Sequence, residues 1–452
     1  MNILQEDTIV ALSTPPGQGA LALIRLSGPN ALEIAAAACP GSHIDQQPTH
    51  TVRLVRIQKE NRLIDEAVLT LFRAPASFTR EDVAEFACHG SPYIIRSVLE
   101  YLIQLGARPA GPGEFTFRAY LNGAMDLAQA EAVADLIASE SEMAHTLAMH
   151  QMRGGFSDTL KQLRMQMLDF VSLIELELDF GEEDVEFADR SALKAAIDRL
   201  KSQIQALADS FTVGNVIRNG IPTAIIGKPN AGKSTLLNAL LNDARAIVSD
   251  IAGTTRDIVE DRLFLQGAEF RLMDTAGIRT TEDSIEKEGI ARSLSAAEKA
   301  RVVLYVFDIN QETEAEATAW CGAHLNLQAG AKLIYLANKA DRLPQWPVPT
   351  EGIVYISAQQ RIGLELLSEQ MITSAGIGNT QTQYVTHARH YQALKETLEY
   401  LTAVEEGMSL HISTDLLAED LRAAMYALGS ITGEISNDEV LGNIFGKFCI
   451  GK

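Results

Sequence analysis

Residues 227–234 read GKPNAGKS, which fits the pattern G-x-x-x-x-G-K-S of a phosphate-binding loop. The apolar run PTAIIG, which predicts a β-strand, precedes this segment, and KSTLLNALL, which predicts a helix, follows it. In that setting backbone N–H groups curl around a phosphate, and the helix N-terminus adds positive potential. We expect Lys233 to span the β- and γ-phosphates and the Ser234 hydroxyl to bind Mg²⁺. The loop predicts a nucleotide-binding α/β sheet without choosing between ATP and GTP.

A second motif indicates which base the nucleotide carries. NKAD occupies residues 338–341, directly after the predicted strand KLIYLAN, where a loop can reach a base at the carboxyl edge of the sheet. The Asp341 carboxylate can accept hydrogen bonds from N1–H and the exocyclic amine of guanine, a donor pair that adenine lacks. Ser357 and Ala358 follow the predicted strand IVYIS and can offer a backbone N–H to the guanine carbonyl. The predicted nucleotide is GTP.

Two segments between these motifs are expected to surround the γ-phosphate. DTAG at residues 274–277 ends the apolar run FRLMD, so Asp274 is expected to hold Mg²⁺ through water and the Gly277 N–H to sense the γ-phosphate. DIAGTTRD at residues 250–257 lies where the first switch of a GTPase belongs, and one of its threonines should complete the Mg²⁺ shell. Signalling GTPases place a water-orienting glutamine where this chain has Ile278. Spacing alone leaves several polar replacements open: Arg279, Glu282, Asp283, Glu286 and Glu288.

Length and charge limit the class of protein. A chain of 452 residues is expected to form two or three domains, at about 150 residues each. The 38 basic and 59 acidic residues give a net charge of −21, which argues against a protein that coats nucleic acid through bulk charge. The sequence has no signal-peptide pattern at its start and no apolar run of about 18–20 residues, so we expect a cytoplasmic protein without a membrane span.

The cysteines and the His387–His390 pair could in principle bind metal, but their spacing favours structural roles. The four cysteines lie far apart, without the paired spacing of a zinc site or a disulfide framework. His387 and His390 stand three residues apart in a predicted helix, but no carboxylate or cysteine accompanies them in the sequence. We therefore expect reduced thiols and a structural histidine pair.

The pattern of apolar residues changes along the chain. Residues 1–119 mix strands (TIVAL, ALALIRLSG, HTVRLVRI, EAVLTLF) with helices, and residues 120–213 are predominantly helical. Residues 214–377 alternate strand and helix, and residues 378–452 are helical again. Residues 17–22 formally match a G-x-G-x-x-A dinucleotide fingerprint, but a predicted strand follows the glycines instead of the required helix. The simplest architecture is an α/β domain inserted into a helical domain.

These motifs, taken together, resemble the tRNA modification GTPases of the MnmE (TrmE) family. Further blocks carry the resemblance, which covers essentially the whole chain: STPPGQG, SFTREDVAEFACHG, PGEFTFRAYLNGAMDLAQAEAVADLI, DFGEEDVEF and the terminal FCIGK. It implies an N-terminal α+β domain (1–119) that dimerises and binds a formyl-tetrahydrofolate. It also implies an all-α helical domain in two parts (120–213 and 378–452), with a P-loop GTPase α/β domain (214–377) inserted between them.

The resemblance also implies an activity. Family members are potassium-activated GTPases that form a heterotetramer with the FAD-binding protein MnmG (GidA). Together they install an aminomethyl-type (carboxymethylaminomethyl) group at carbon 5 of the wobble uridine of certain tRNAs, using 5-formyltetrahydrofolate or a related one-carbon folate. The GTPase motifs alone leave an alternative open, a regulatory GTPase of ribosome or RNP assembly without modification chemistry. The N-terminal domain and FCIGK favour the modifying enzyme.

Matching the family motifs residue by residue implies roles in the GTPase site. Glu286, within IEKEGIARS, is expected to orient the attacking water as a catalytic residue beside Lys233. The implied metal ligands are Ser234 and Thr255 for Mg²⁺, and Asn230, Ser249, Ile251 (through its carbonyl) and Thr254 for K⁺. The implied GTP contacts are Asn230, Ala231, Gly232, Lys233, Ser234, Thr235, Ser249, Gly253, Thr254, Thr255, Asp274, Thr275, Ala276, Gly277, Asn338, Lys339, Asp341, Ser357 and Ala358.

A folate site is implied in the same way. The matching positions are Arg25, Glu85 and the terminal Lys452. Family members often have a lysine where this chain has Ala124, so one contact to the charged tail of the folate is in doubt. Cys449, in FCIGK, is implied to have a catalytic role near the folate.

Overall fold

The computed structural model of the protein describes residues 7–179, 190–243, 261–273, 286–377, 383–410, 412–434 and 438–451. Tertiary contacts divide the chain into two compact units. The first comprises residues 1–134, 151–173 and 421–452, and the second comprises residues 135–150 and 174–420. Each unit contains a six-stranded sheet. Within the described ranges, no helix is both long and apolar enough to cross a membrane.

The sheet of the first unit forms where the sequence predicts strands. Its strands are β1 (Ile9–Leu12), β2 (Leu21–Ser27), β3 (Thr51–Lys59), β4 (Arg62–Phe72), β5 (Val83–His89) and β6 (Arg108–Pro109). Their order is β3-β4-β5-β2-β1-β6, and β6 alone pairs in parallel. Because side chains alternate along a strand, Ile24, Leu69 and Phe86 share one face, where they are fully buried with helices α1 (Ala31–Ala38) and α2 (Pro92–Gln104).

The Gly-rich turn at residues 13–20 leads into a strand. β2 follows it directly, so no helix N-terminus stands behind Gly17 and Gly19. The strand predicted at this position is confirmed, and the formal dinucleotide fingerprint lacks the helix that it needs.

The helices predicted in the part of the sequence between the strands of the first sheet and those of the second are present. They are α3 (Glu114–Leu121), α4 (Leu127–Ala138), α5 (Glu142–Met152), α6 (Gly155–Asp179) and α7 (Arg190–Asn219). Residues 127–152 (LAQAEAVADLIASESEMAHTLAMHQM) have apolar residues at helical spacing throughout, but the helix is broken at 139–141. There the Ser141 hydroxyl accepts a hydrogen bond from the Ala144 N–H at 3.2 Å. A serine that satisfies a first-turn N–H favours a new helix start over continuation.

The second sheet has the order β12-β11-β10-β7-β9-β8. Its strands are β7 (Ile221–Ile226), β8 (Asp261–Leu265), β9 (Ala268–Leu272), β10 (Val302–Asp308), β11 (Lys332–Asn338) and β12 (Ile353–Tyr355). All neighbours pair in parallel except β8 and β9. Every residue of β10 is buried, because apolar clusters cover both faces of the sheet. The helices here are α8 (Lys233–Asp243), α9 (Glu286–Lys299), α10 (Glu314–His324) and α11 (Leu364–Ala375).

The chain ends in helices and a short tail. The helices are α12 (Ala388–Ser409), α13 (Thr414–Thr432) and α14 (Asp438–Phe445). Within the first unit, the Phe445 ring packs edge-on against Phe117 of α3, with ring centroids 5.0 Å apart. The Gly451 carbonyl accepts a hydrogen bond from the Ser13 hydroxyl at 3.0 Å. The FCIGK tail is thereby fastened beside β1.

A buried carboxylate ties together the segments that lead into and out of the second sheet. Asp135, on α4, accepts a hydrogen bond from Arg218 Nε at 2.7 Å and faces His387 Nε2 at 2.8 Å. Arg218 lies in the last turn of α7, just before β7, and His387 immediately precedes α12. The three residues belong to the second unit. His387 is thus a structural partner of a buried carboxylate.

Asp135→Asn is expected to lower the free energy of unfolding by about 2–3 kcal/mol at neutral pH. This is less than the loss expected for a fully buried pair, because Arg218 is one-third exposed. Burial acts to raise the pKa of Asp135, but His387 and Arg218 outweigh it, so the pKa lies below its ordinary 3.8. A lowered acid pKa stabilises the fold above the unfolded pKa, and this contribution disappears as pH falls through the folded pKa. Denaturant unfolding should therefore show a gap between parent and variant that narrows below pH 3.8; an equal gap at pH 3 and pH 7 would contradict this.

Candidate nucleotide-binding site

The loop at residues 227–232 connects β7 to α8 and depends on two glycines for its shape. Gly227 has φ +148°, and a Cβ atom there would lie 2.0 Å from the carbonyl oxygen of Val306 on β10. Gly232 has φ +99°, and a Cβ atom there would lie 2.2 Å from Nδ2 of Asn338. Both separations are far below van der Waals contact. The close approach of β10 to Gly227 and of the Asn338 side chain to Gly232 therefore requires glycine at these positions.

Lys233 begins α8, and its side chain folds back over the loop. Its ammonium donates hydrogen bonds to the carbonyls of Gly227 at 2.7 Å and Lys228 at 2.9 Å. Burial lowers the pKa of this amine. Ser234 and Thr235 follow in the first turn of α8, where the helix N-terminus favours negative charge. The loop therefore offers a lysine amine, a hydroxyl and helix N–H groups at one place.

Asn338, the last residue of β11, joins this loop to two other segments. Its Nδ2 donates to the carbonyl of Ala231 at 2.8 Å, and its Oδ1 accepts from the Ala358 N–H at 3.0 Å. The side chain is buried, with 2% of its surface exposed. A single amide thus connects the phosphate loop, the NKAD turn and the segment after β12. The Ala358 N–H, expected to face the guanine carbonyl, donates to Asn338 in this structure.

Asp341 lies beside this junction. It sits in the short 3₁₀ turn Ala340–Arg342 that follows Lys339, and it is half-buried. The Ala340 N–H donates to the carbonyl of Ile356 at 3.1 Å, which fixes the turn against the segment after β12. Ser357 is fully buried, and its N–H donates to the Ile362 carbonyl at 3.0 Å. The carboxylate predicted to read guanine is consequently held on a short, anchored turn.

Asp308, the last residue of β10, was not predicted from the sequence. Its Oδ2 lies 2.8 Å from Lys339 Nζ, and its Oδ1 accepts hydrogen bonds from Asn310. Burial acts to raise the pKa of Asp308, but the bonds from Lys339 and Asn310 outweigh it and hold the pKa below its ordinary value. The available signal was its position at the end of RVVLYVFD, since parallel strands bring Asp308 level with Asn338.

Several predicted site residues lie outside the described part of the chain. They are Ser249, Ile251, Gly253, Thr254, Thr255, Asp274, Thr275, Ala276, Gly277 and Lys452. Glu286 begins α9, where the backbone alone is described. Asn230, in contrast, is described and exposed, with a left-handed φ of +60°. The structure thus brings together the phosphate-loop and base-recognition residues.

Arg25 and Glu85 form a second candidate site in the first unit. They are direct neighbours across β2 and β5, with Arg25 Nε 2.7 Å from Glu85 Oε1. The Arg25 guanidinium lies 5.6 Å from the ring centroids of both Phe78 and Phe115. Each charged side chain keeps about one-sixth of its surface exposed, 18% and 17%. The pair is thus partly desolvated, framed by aromatic rings and open to a ligand.

Two other residues predicted for the folate site, Cys449 and Ala124, lie at the two ends of α3. Cys449 is exposed, and its carbonyl accepts a hydrogen bond from the Gly113 N–H at 3.3 Å, just before α3 begins. Ala124 follows α3, and its N–H donates to the Ala119 carbonyl at 2.8 Å. Cys449 and Arg25 both contact the start of α3, Cys449 through Gly113 and Arg25 through Phe115.

The second sheet and its loops define a P-loop GTPase domain. A glycine-rich phosphate loop is packed against an NKxD asparagine, and the NKAD turn at residues 338–341, the base-recognition turn, lies at the carboxyl edge of a mostly parallel sheet. This arrangement agrees with the guanine nucleotide predicted from the sequence.

Comparison with known proteins shows the family. The family model described as "MnmE helical domain" matches residues 127–449, and the model described as "GTP-binding protein TrmE N-terminus" matches residues 8–124. Among curated proteins named tRNA modification GTPase MnmE, that of Cytophaga hutchinsonii is 50% identical over 452 residues, covering 99% of this chain and 98% of its own. That of Christiangramia forsetii is 48% identical, covering 99% of each chain. The chain belongs to the MnmE (TrmE) family of tRNA modification GTPases, which confirms the resemblance and the expected fold class.

Solved structures add little to this assignment. A variant of Aquifex aeolicus Era bound to GDP·AlF4⁻ aligns with 39% of this chain and 65% of that chain, at 25% identity and a TM-score of 0.26. That score is too low to support an inference.

Proposed function

We propose that this protein is the GTP-hydrolysing component of a cytoplasmic enzyme that modifies the wobble uridine of tRNA. The observation that carries the nucleotide part is the Asn338 amide, which joins the phosphate loop to the base-recognition turn. The tRNA part rests on relatives that match the whole chain and are named tRNA modification GTPases. In the proposed function, this protein couples GTP hydrolysis to the modification of tRNA.

The GTPase residues have separate tasks in this proposal. Lys233 neutralises charge on the β- and γ-phosphates, and Asp341 accepts hydrogen bonds from the guanine N1–H and amine. Glu286 orients the attacking water in the role that Ile278 cannot perform. The hydroxyls of Ser234 and Thr255 would hold Mg²⁺, with Asp274 acting through water, and the ion would offset phosphate charge.

A K⁺ ion is proposed beside the phosphates. The Asn230 side chain supports this, because Asn230 is an exposed residue of the phosphate loop and its amide carries a hard oxygen donor suited to such a cation. The other proposed ligands, Ser249, the Ile251 carbonyl and Thr254, lie outside the described residues. When bound, K⁺ supplies positive charge where other GTPases use an arginine finger.

A one-carbon folate such as 5-formyltetrahydrofolate is proposed at the Arg25–Glu85 pair. The Glu85 carboxylate can accept from N–H groups of the pterin, Arg25 can donate, and the rings of Phe78 and Phe115 offer apolar surface. Lys452 is proposed to bind the folate tail, and Ala124 supplies no charge for it. The exposed Cys449 thiol is proposed to act near the transferred carbon.

A homodimer through the N-terminal domain is supported by the outer face of the first sheet. Large apolar side chains are exposed there, with Val52 at 65%, Leu54 at 69% and Val68 at 40%. Leu54 and Val68 are direct neighbours on β3 and β4, so the apolar surface is continuous. An exposed apolar patch of this kind is typical of a protein interface. We propose that the dimer assembles with the FAD-binding protein MnmG (GidA) into a heterotetramer that acts on tRNA.

The proposed function is tested by reconstitution. The purified protein, the FAD-binding partner of the same organism, undermodified tRNA, GTP, KCl, a one-carbon folate and an amino donor are combined, and nucleosides are identified by mass spectrometry. We expect a mass gain on the wobble uridine, which is lost in Arg25→Ala while GTP turnover is retained. Normal GTP turnover without any change in the tRNA would contradict the proposal and favour a regulatory GTPase.

A further inference from the structure

A buried carboxylate stands behind both nucleotide motifs. Asp308 ends β10 and lies level with Asn338 of β11, and 5% of its surface is exposed. Both of its oxygens are used within the protein: Oδ2 faces Lys339 Nζ at 2.8 Å, and Oδ1 accepts from the backbone N–H and Nδ2 of Asn310, each at 3.0 Å. The carboxylate is therefore placed to hold protein groups, and it does not face a ligand directly.

Lys339 transmits this restraint to the phosphate loop. The same ammonium donates a hydrogen bond to the carbonyl of Asn230 at 2.7 Å. Asn230 and Lys339 both have left-handed φ angles, +60° and +63°, which cost free energy for residues other than glycine. Asn310 Nδ2 also donates to the Lys339 carbonyl at 3.2 Å. The Lys339 bridge thus holds two strained turns in place at once.

The base-recognition turn starts from this bridge. Asp341 lies two residues after Lys339, in the 3₁₀ turn Ala340–Arg342. Lys339, which has the left-handed φ, is the residue directly before this turn. If Lys339 lost its charged partner, its partly buried ammonium would keep the neutral carbonyl of Asn230 as its partner. The turn that carries Asp341 and the loop that contains Asn230 would then lose their common anchor.

We infer that Asp308 is a positioning residue for guanine recognition: through Lys339 it holds the phosphate loop and the base-recognition turn in one geometry. It acts on the guanine nucleotide through these two segments and does not touch the nucleotide. The inference rests on the guanine-binding part of the proposed function. It states that Asp308 contributes to the preference for guanine over other bases.

The test compares GDP with IDP, whose base lacks the exocyclic amine that Asp341 is expected to read. Affinities are measured with fluorescent derivatives of both nucleotides for the full chain, for Asp308→Asn and for Glu316→Gln. The last variant makes the same chemical change at an exposed carboxylate on α10. We expect Asp308→Asn to weaken GDP binding about tenfold and to lower the GDP:IDP preference at least about threefold. Glu316→Gln should leave both values within about twofold.

Three outcomes separate the possibilities. An Asp308→Asn protein with unchanged affinities, or with equal losses for GDP and IDP, would overturn the inference. A parent chain that binds GDP and IDP equally would contradict the guanine site itself. If Asp308→Asn fails to fold, Asn310→Ala replaces it, since Asn310 is exposed and its side chain bonds both Asp308 and Lys339. Asn310→Ala should lower the GDP:IDP preference by about half and speed amide exchange in residues 227–232. If neither change is observed, the inference is overturned.

Discussion

Asp341→Asn is expected to change the base preference of this protein from guanine to xanthine. In the proposed site, the Asp341 carboxylate accepts hydrogen bonds from both N1–H and the exocyclic amine of guanine. An amide keeps one acceptor and presents a donor where guanine also has a donor, whereas xanthine has a carbonyl oxygen there. A site built around a hydrogen-bonding pair rejects a mismatched partner strongly, so we expect GTP affinity to fall by about 10³-fold or more. Xanthosine triphosphate should support hydrolysis in the variant.

Competition between GTP and xanthosine triphosphate measures this change. Glu351→Gln is the matched control, because it makes the same carboxylate-to-amide change at an exposed position of the same unit. The control should keep the preference of the parent for GTP. An Asp341→Asn protein that still prefers GTP would show that Asp341 does not read the base.

Glu286→Ala is expected to slow GTP hydrolysis by about 10²–10³-fold with little change in GTP affinity. The reason is that Ile278 cannot orient water and the proposal gives this role to the Glu286 carboxylate. Positioning of this kind contributes about 10²–10⁴-fold. Glu286 starts α9, which begins directly after the segment that carries the DTAG motif. Groups that act on the attacking water affect the transition state more than nucleotide binding.

Single-turnover hydrolysis and nucleotide affinity, measured side by side, check this expectation. Glu288→Ala removes an identical side chain two residues later in α9 and serves as the control. Turnover of Glu286→Ala within about twofold of the parent would remove Glu286 from its proposed role. A loss of turnover in Glu288→Ala instead would assign the role to Glu288, and Glu282 would be the next acidic residue to test.

The sequence predicts those parts of the fold and site that depend on local pattern. Buried parallel strands read as continuous apolar runs, so β7, β10, β11 and β12 could be predicted from the sequence. A phosphate loop is likewise a local signal, because its glycines and lysine occupy fixed spacings between strand and helix. The NKAD turn could be placed because it directly follows a predicted strand.

Contacts that depend on three-dimensional register could not be predicted in this way. Asp308 meets Lys339 because two parallel strands end level with each other, and no local pattern reveals that alignment. Asp135 meets His387 across 252 positions of the sequence, so the histidine could be judged structural but its partner could not be named. β8 was missed because it is a short edge strand, antiparallel to β9.

GTP turnover by the purified protein in KCl and in NaCl at equal ionic strength tests the proposed catalytic mechanism. The proposal places K⁺ beside the phosphates through Asn230 and the DIAGTTRD segment, so we expect strong stimulation by KCl and little activity in NaCl. Asn230→Ala should lose that stimulation. Equal rates in the two salts would leave the guanine site intact and contradict the potassium-dependent mechanism.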